Sequence, residues 1–249
     1  MSAAVTAKRP SFRQVVDRLE GAQKKRARGA PAYSIYVNRP VGRYLAAAAY
    51  LLGLSPNAIS AISAGFTLCA IVLLAVLPPT ILLGVVVWLL LAVGYALDSA
   101  DGQVARLRGG GSPSGEWLDH VLDALKTPAL HLAVLVTAYL HFGVTTEAWL
   151  LIPIGFSIVA SVSFFAMILN DQLKARTARK VVEPPSSSTP LRALLGIPTD
   201  YGVICLAFLT LGSPLLFMVV YSVLFVANLG YLALALPKWY RDMRGLTRP

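Results

Sequence analysis

Four aspartates stand at spacings that place them on two helix faces. Residues 98–106 read DSADGQVAR, and residues 115–123 read GEWLDHVLD. At 100° per residue, Asp98, Asp101, Gly102 and Ala105 share one face of a first helix, and Gly115, Asp119 and Asp123 share one face of a second. Only residues 107–114 separate the runs, so the two helices are expected to be antiparallel neighbours whose acidic faces form one site. Clustered carboxylate oxygens suit hard divalent cations, with a phosphate group sharing them. A purely structural ion-pair network with Arg106, Arg108 and Lys126 is the alternative. Gly102, Ala105 and Gly115 favour the ligand reading, because small residues on the acidic face leave room for a molecule to approach both backbones.

The helices that carry these residues belong to a membrane protein. Of 249 residues, 56% are hydrophobic and 14% charged, against about 25% charged in soluble domains. Apolar stretches long enough to cross a bilayer run over 59–77, 81–97, 124–140 and 149–169, and two more fit between 201 and 236, split by a turn at Gly212, Ser213 and Pro214. The two cysteines, Cys69 and Cys205, lie inside such stretches and read as small hydrophobes, so no disulfide or zinc framework is expected. In this setting the aspartates are conspicuous, since each costs about 2.5–3.5 kcal/mol at the centre of an inserted helix.

The net charge of +10 reads as membrane topology rather than nucleic-acid binding. The short connections 78–80, 141–148 and 212–214 contain no Lys or Arg, whereas the N-terminal segment, the remaining loops and the tail are basic. Both termini and the acidic site are therefore expected on the cytoplasmic side of the plasma membrane. Residues 1–40 lack the apolar core of a signal peptide. Phe12, Val15, Val16 and Leu19 recur at helical spacing among Arg13, Arg18 and the basic run 24–28, which predicts an amphipathic helix against anionic headgroups. A second interfacial helix is expected over 41–54, ended by Gly53. The expected organisation is a basic segment 1–40, a membrane catalytic domain 41–240 with a proline- and serine-rich linker at 183–190, and a basic tail 241–249. The fold class is all-α and polytopic, with six transmembrane helices and an N-terminal interfacial helix.

The run D-x2-D-G-x2-A-R-x8-G-x3-D-x3-D, satisfied here from Asp98 to Asp123, resembles the CDP-alcohol phosphotransferase family. Ser55-Pro56-Asn57 at the start of the first span is similar too, although Ser55 is more usually threonine in relatives. The resemblance implies a six-span homodimer that moves a phospho-alcohol group from a CDP-alcohol to a second alcohol, releasing CMP. It implies that Asp98, Asp101, Asp119 and Asp123 hold two ions, Mg²⁺ or Mn²⁺, bridged by the donor pyrophosphate. Asp123 would be the general base, with a pure ligand role as the alternative. Gly102, Ala105, Gly115 and Asn57 would face the CDP moiety, and Arg106 its phosphate.

Lys126 lies on the same helical face as Asp119 and Asp123, about a turn deeper; it either balances the acidic cluster or meets an anionic substrate group. With Arg39, Arg43, Lys174, Arg176 and Arg192 it makes up the candidate acceptor-binding set, since a phosphorylated acceptor needs fixed cations beside donor phosphates that repel it. CDP-diacylglycerol donating a phosphatidyl group to a small polar alcohol is the favoured arrangement. A CDP-linked polar alcohol as donor is the alternative, suggested by the run YSIYVNRP at 33–40. A reading of a different class, a small cation transporter, is disfavoured because the acidic residues lie at one end of their spans rather than near the midplane.

Overall fold

The computed structural model describes residues 10–21, 32–143, 147–176 and 197–246, and among these there is helix but no strand. In chain order the helices are α1 (Phe12–Gly21), α2 (Arg39–Leu51, preceded by a π-helical turn Ser34–Asn38), α3 (Pro56–Val76) and α4 (Ile81–Leu107). They are followed by α5 (Pro113–His141), α6 (Leu151–Arg176), α7 (Tyr201–Ala207) and α8 (Pro214–Leu246). Local chemistry explains the starts. Ser55, Thr80, Ser112 and Asp200 are extended N-caps whose side chains accept the amides of Ala58, Leu83, Gly115 and Gly202. Pro56 and Pro113 follow two of them, where a missing N–H is harmless.

Among the described residues, five stretches are long and apolar enough to cross a membrane: α3, α4, α5, α8, and α6 with the 3-10 turn Glu147–Leu150 ahead of it. The sixth expected crossing coincides with α7 and its 3-10 continuation Phe208–Thr210, a shorter apolar segment, and residues 177–196 ahead of it lie outside the described residues. Packing shows how far α7 reaches. Asp200 at its start meets Ser34, and Tyr201 packs edge-on against Tyr95, one turn before Asp98. Its closing turn packs against the first turns of α4: a Cβ on Gly84 would stand 2.5 Å from the Phe208 carbonyl oxygen. The segment thus runs from near the acidic residues to the opposite end of α4.

Core side chains of α3 to α8 form one apolar cluster that includes Leu74, Leu91, Val134, Phe156, Phe208, Phe217 and Tyr221. The outer faces of the long helices stay apolar and exposed, as at Leu82, Leu132, Tyr139 and Leu234, which suits a lipid solvent. A second cluster joins Val15 and Leu19 of α1 to Ala46, Ala47 and Ala49 of α2, Ile59 of α3, and Ala100 and Val104 of α4. The apolar stripe of α1 is therefore turned onto protein, with Val15 and Leu19 fully buried and Phe12 left exposed. This differs from the expected docking onto headgroups: α2 and α4 offer a small-residue surface that the α1 stripe fills.

The pairing of α4 with α5 also differs from expectation. The short loop brings their ends together through Gly109 and Gly110, at φ +100° and +130°, and the Gly110 amide closes on the Ala105 carbonyl at 3.0 Å. Yet α4 and α5 make no extended contact with each other, because α3 packs against both. The two acidic helices are splayed, and a cleft opens between their joined ends.

Candidate active site

Side chains from the splayed helices meet at that cleft. Asp98 on α4 and Asp119 and Asp123 on α5 bring carboxylate oxygens within 4.8 Å of one another. Lys126, one turn farther along α5, reaches back to Asp98 Oδ1 at 2.9 Å and Asp123 Oδ1 at 2.7 Å. Its ammonium thus links the two helices and supplies the positive charge that clustered carboxylates require. Asp101 stands apart from this trio. It is buried, and its Oδ2 accepts the hydroxyl of Ser60 on α3. The arrangement is more than an ion-pair network, since Lys126 touches two of the four aspartates and leaves Asp101 and Asp119 with no Lys or Arg in salt-bridge contact among the described residues.

Beside the trio is a cavity of about 240 Å³ lined by Arg39, Asp98, Ser99, Asp101, Gly102, Gln103, Arg106 and Asp119. Gly102 leaves its floor open: a Cβ there would meet only Arg106 Nη1, at 3.5 Å. Gly115 serves a close approach between helices, since a Cβ on it would stand 3.0 Å from Asn57 Oδ1. Asn57 is therefore beside Gly115 at the α3 and α5 starts. Ala105 does not line the cavity; its carbonyl accepts the amides of Arg108 and Gly110 and so closes the end of α4.

The basic residues separate in space. Arg39 and Arg106 reach the cavity, and Lys126 sits within the carboxylates. Arg43 pairs with Glu20 of α1 at 3.1 Å, which ties α1 to α2. Lys174 and Arg176 lie in the last turn of α6, near the site end of the bundle, where Gln172 donates to Glu116 of α5 at 3.3 Å. Arg192 lies outside the described residues. His120 points to Glu116 at 3.8 Å and edge-on to Phe164. His131 is buried in the α5–α6–α8 core, 2.6 Å from the Tyr221 hydroxyl and stacked on Phe156.

Three site residues escaped the sequence reading: Ser60, Ser99 and Gln103. Ser60 had a visible signal, because Ser60, Ser63 and Thr67 form a small polar stripe along one face of an otherwise apolar α3. Gln103 had none. Its buried side chain donates to the Arg39 carbonyl and to Ser99 Oγ, both at 3.3 Å.

The donor set suits a hard divalent cation, being all carboxylate oxygen, convergent from two helices, and already arranged around one cationic group. The fold is similar to that of Mycobacterium tuberculosis phosphatidylinositol phosphate synthase (PgsA1) in a crystal structure with CDP-DAG bound, at TM-score 0.54 and 18% identity over 82% of this chain and 94% of that one. It is also similar to the same protein in complex with manganese and citrate, at TM-score 0.51 and 20% identity over 82% and 89%. At such identities the likeness is one of fold. No curated protein matches the sequence. Residues 53–234 match the family model of the CDP-alcohol phosphatidyltransferases. With the match covering most of the chain and all four aspartates of the site inside it, this protein belongs to the CDP-alcohol phosphatidyltransferase family, metal-dependent membrane enzymes that transfer a phosphatidyl group from a CDP-alcohol to an acceptor alcohol with release of CMP.

Proposed function

We propose that the protein transfers a phosphatidyl group from CDP-diacylglycerol to a small polar alcohol, at a two-metal site on the cytoplasmic face of the plasma membrane. The observation that carries the reading is the convergence of Asp98, Asp119 and Asp123 from two splayed helices beside a cavity that also receives Arg106. Asp98, Asp101, Asp119 and Asp123 would hold the ions, Mg²⁺ with Mn²⁺ as a substitute. When bound, such ions neutralise charge on the donor pyrophosphate and polarise the phosphorus under attack. The chain does the rest by placement. Gly102 keeps the wall low where the cytidine must enter, Gly115 lets Asn57 of α3 come close so that both face the cytidine, and Ala105 ends α4 so that Arg106 can fold over Gly102 onto a phosphate. Asp123 takes the proton of the acceptor hydroxyl; Lys126, 2.7 Å away, steadies its charge before substrate arrives.

CDP-diacylglycerol as donor is supported by the fold neighbour carrying CDP-DAG. The apolar, outward-facing flanks of the long helices give a lipid donor a path to the cleft. Lys174 and Arg176, at the end of α6, are the cations we assign to a phosphorylated acceptor; Arg43, held by Glu20, and Arg192 complete that candidate set less directly. Six crossings, both termini cytoplasmic, and a homodimer complete the proposal. The far-end position of the α7 turn supports the even count. The deciding experiment incubates purified protein and Mg²⁺ with CDP-diacylglycerol or with CDP-linked polar alcohols, and follows CMP across neutral and phosphorylated acceptors. CMP release with CDP-diacylglycerol and a polar acceptor is expected. Release only with a CDP-linked polar alcohol would reverse the donor assignment.

A further inference from the structure

Two arginines converge on the cavity from different helices. Arg106 of α4 folds over Gly102, and Arg39 faces it from the first turn of α2. The two guanidinium groups are near enough to repel each other. Among the described residues neither forms a salt bridge or a side-chain hydrogen bond, although Asp98, Asp101 and Asp119 line the same cavity. Asp101 attracts Arg106 without coming into salt-bridge contact, and two like charges held together with no ion pair suit an anion supplied from outside.

The position of Arg39 is fixed by the helix that carries the aspartates. Gln103, only 3% exposed, donates its Nε2 to the Arg39 carbonyl at 3.3 Å while its Oε1 is buried without a partner. Asn38, 4% exposed, donates to the Tyr95 carbonyl at 3.1 Å. Gly42 lets α2 close onto α4, since a Cβ there would already be 3.0 Å from the Ala96 carbonyl oxygen. Buried amides are costly where an apolar side chain would pack, so these tethers are best explained by what they hold. All of them act between α4 and residues 38–42, at the junction of the π-helical turn with α2, and Arg39 is the charged side chain which that segment delivers to the cavity.

We propose that Arg39 and Arg106 together grip the pyrophosphate of the CDP-linked donor, and that Gln103 is the positioning residue that holds Arg39 to this task. This rests on the CDP-alcohol reading above and moves Arg39 from the acceptor set to the donor. The shared cavity decides the assignment: an acceptor held at Arg39 would lie in the space that Arg106, Gly102 and the aspartates enclose for the donor.

The test is calorimetric titration of CDP, in the presence of Mg²⁺, into purified wild-type, Arg39→Ala, Arg39→Lys and Gln103→Ala proteins, with KM measured separately for donor and acceptor. Arg39→Ala is expected to weaken CDP at least tenfold, with Arg39→Lys intermediate because the charge remains and the fork is lost. Gln103→Ala is expected to weaken CDP several-fold, and donor KM should rise in step while acceptor KM stays put. Unchanged CDP affinity in Arg39→Ala, or a rise confined to acceptor KM, would overturn the donor assignment. Wild-type CDP affinity in Gln103→Ala would remove Gln103 from the positioning role. Should Arg39→Ala fail to fold, Arg39→Gln and Arg39→Lys carry the same comparison. A wild-type protein that neither binds CDP nor releases CMP would instead sink the underlying reading, and the two failures are distinguishable.

Discussion

Lys126 is held by two carboxylates that an arriving cation would also need. Its side chain is 11% exposed, and those of Asp98 and Asp123 are 27% and 28% exposed, so the pair interactions are sheltered but not dry. Removing the ammonium should leave two neighbouring carboxylates uncompensated whenever metal is absent. Lys126→Met is therefore expected to lower Tm in EDTA by an amount corresponding to roughly 2 kcal/mol, below the loss for a fully buried pair. Saturating Mg²⁺ should recover more of that loss than it adds to wild type; equal Tm values in EDTA would contradict this account of Lys126. Asp123→Asn is expected to lower turnover by a factor on the order of 10² or more. Metal affinity measured alongside separates lost base from lost ligand, and near-normal turnover would remove Asp123 from the base role. The carboxylate faces were legible in the sequence because helical periodicity is local: residues at offsets of three and four share a face whatever surrounds them. The Ser60 bond to Asp101 and the hold of Gln103 on Arg39 were not, since each depends on how α3 or α2 packs against α4.

At the level of the helices, α3 is the wedge that sets the cleft. It packs on α4 and α5 while these meet each other only near their joined ends, and it carries Asn57 and Ser60 to the site. Its approach to α4 is close at Gly94, where a Cβ would stand 2.5 Å from Thr67 Oγ1 and 3.2 Å from the Ser63 carbonyl oxygen. Ser63 itself donates to the Gly94 carbonyl at 2.8 Å. Gly94→Val should push α3 and α4 apart one turn from Asp98, costing about 1–3 kcal/mol and lowering both Tm in detergent and the rate of CMP release. A variant with wild-type Tm and rate would show that this contact does not set the cleft. The start of α3 was readable from Ser55 and Pro56, because caps are local chemistry. The relation of α4 to α5 was not: a short loop fixes where two ends meet, but only long-range packing shows that a third helix intervenes. The same limit applies to α1, whose stripe predicted an apolar partner without saying that the partner was α2 and α4.

For the molecule as a whole, apolar content and the uneven spread of basic residues made the membrane class legible, while the brevity of α7 was not. The end of the bundle that holds the aspartates also holds the C-terminal end of α6, and the opposite end holds the turns around Pro78 and Gly212. With Cys69 and Cys205 replaced, a cysteine at Ala175 should react with a membrane-impermeant thiol reagent only from the cytoplasmic side, and one at Pro78 only from the outer side; the reverse pattern would invert the proposed topology. Divalent-metal binding by the clustered aspartates, and with it transfer of a phosphatidyl group out of a CDP-alcohol, is read out by CMP release from CDP-diacylglycerol as EDTA and then Mg²⁺ are titrated into wild-type and Asp119→Asn protein. Wild-type CMP release is expected to stop in EDTA and return with excess Mg²⁺, while Asp119→Asn needs a higher Mg²⁺ concentration or stays inactive. CMP release at the full rate in EDTA, or Asp119→Asn protein with the wild-type Mg²⁺ dependence, would contradict it.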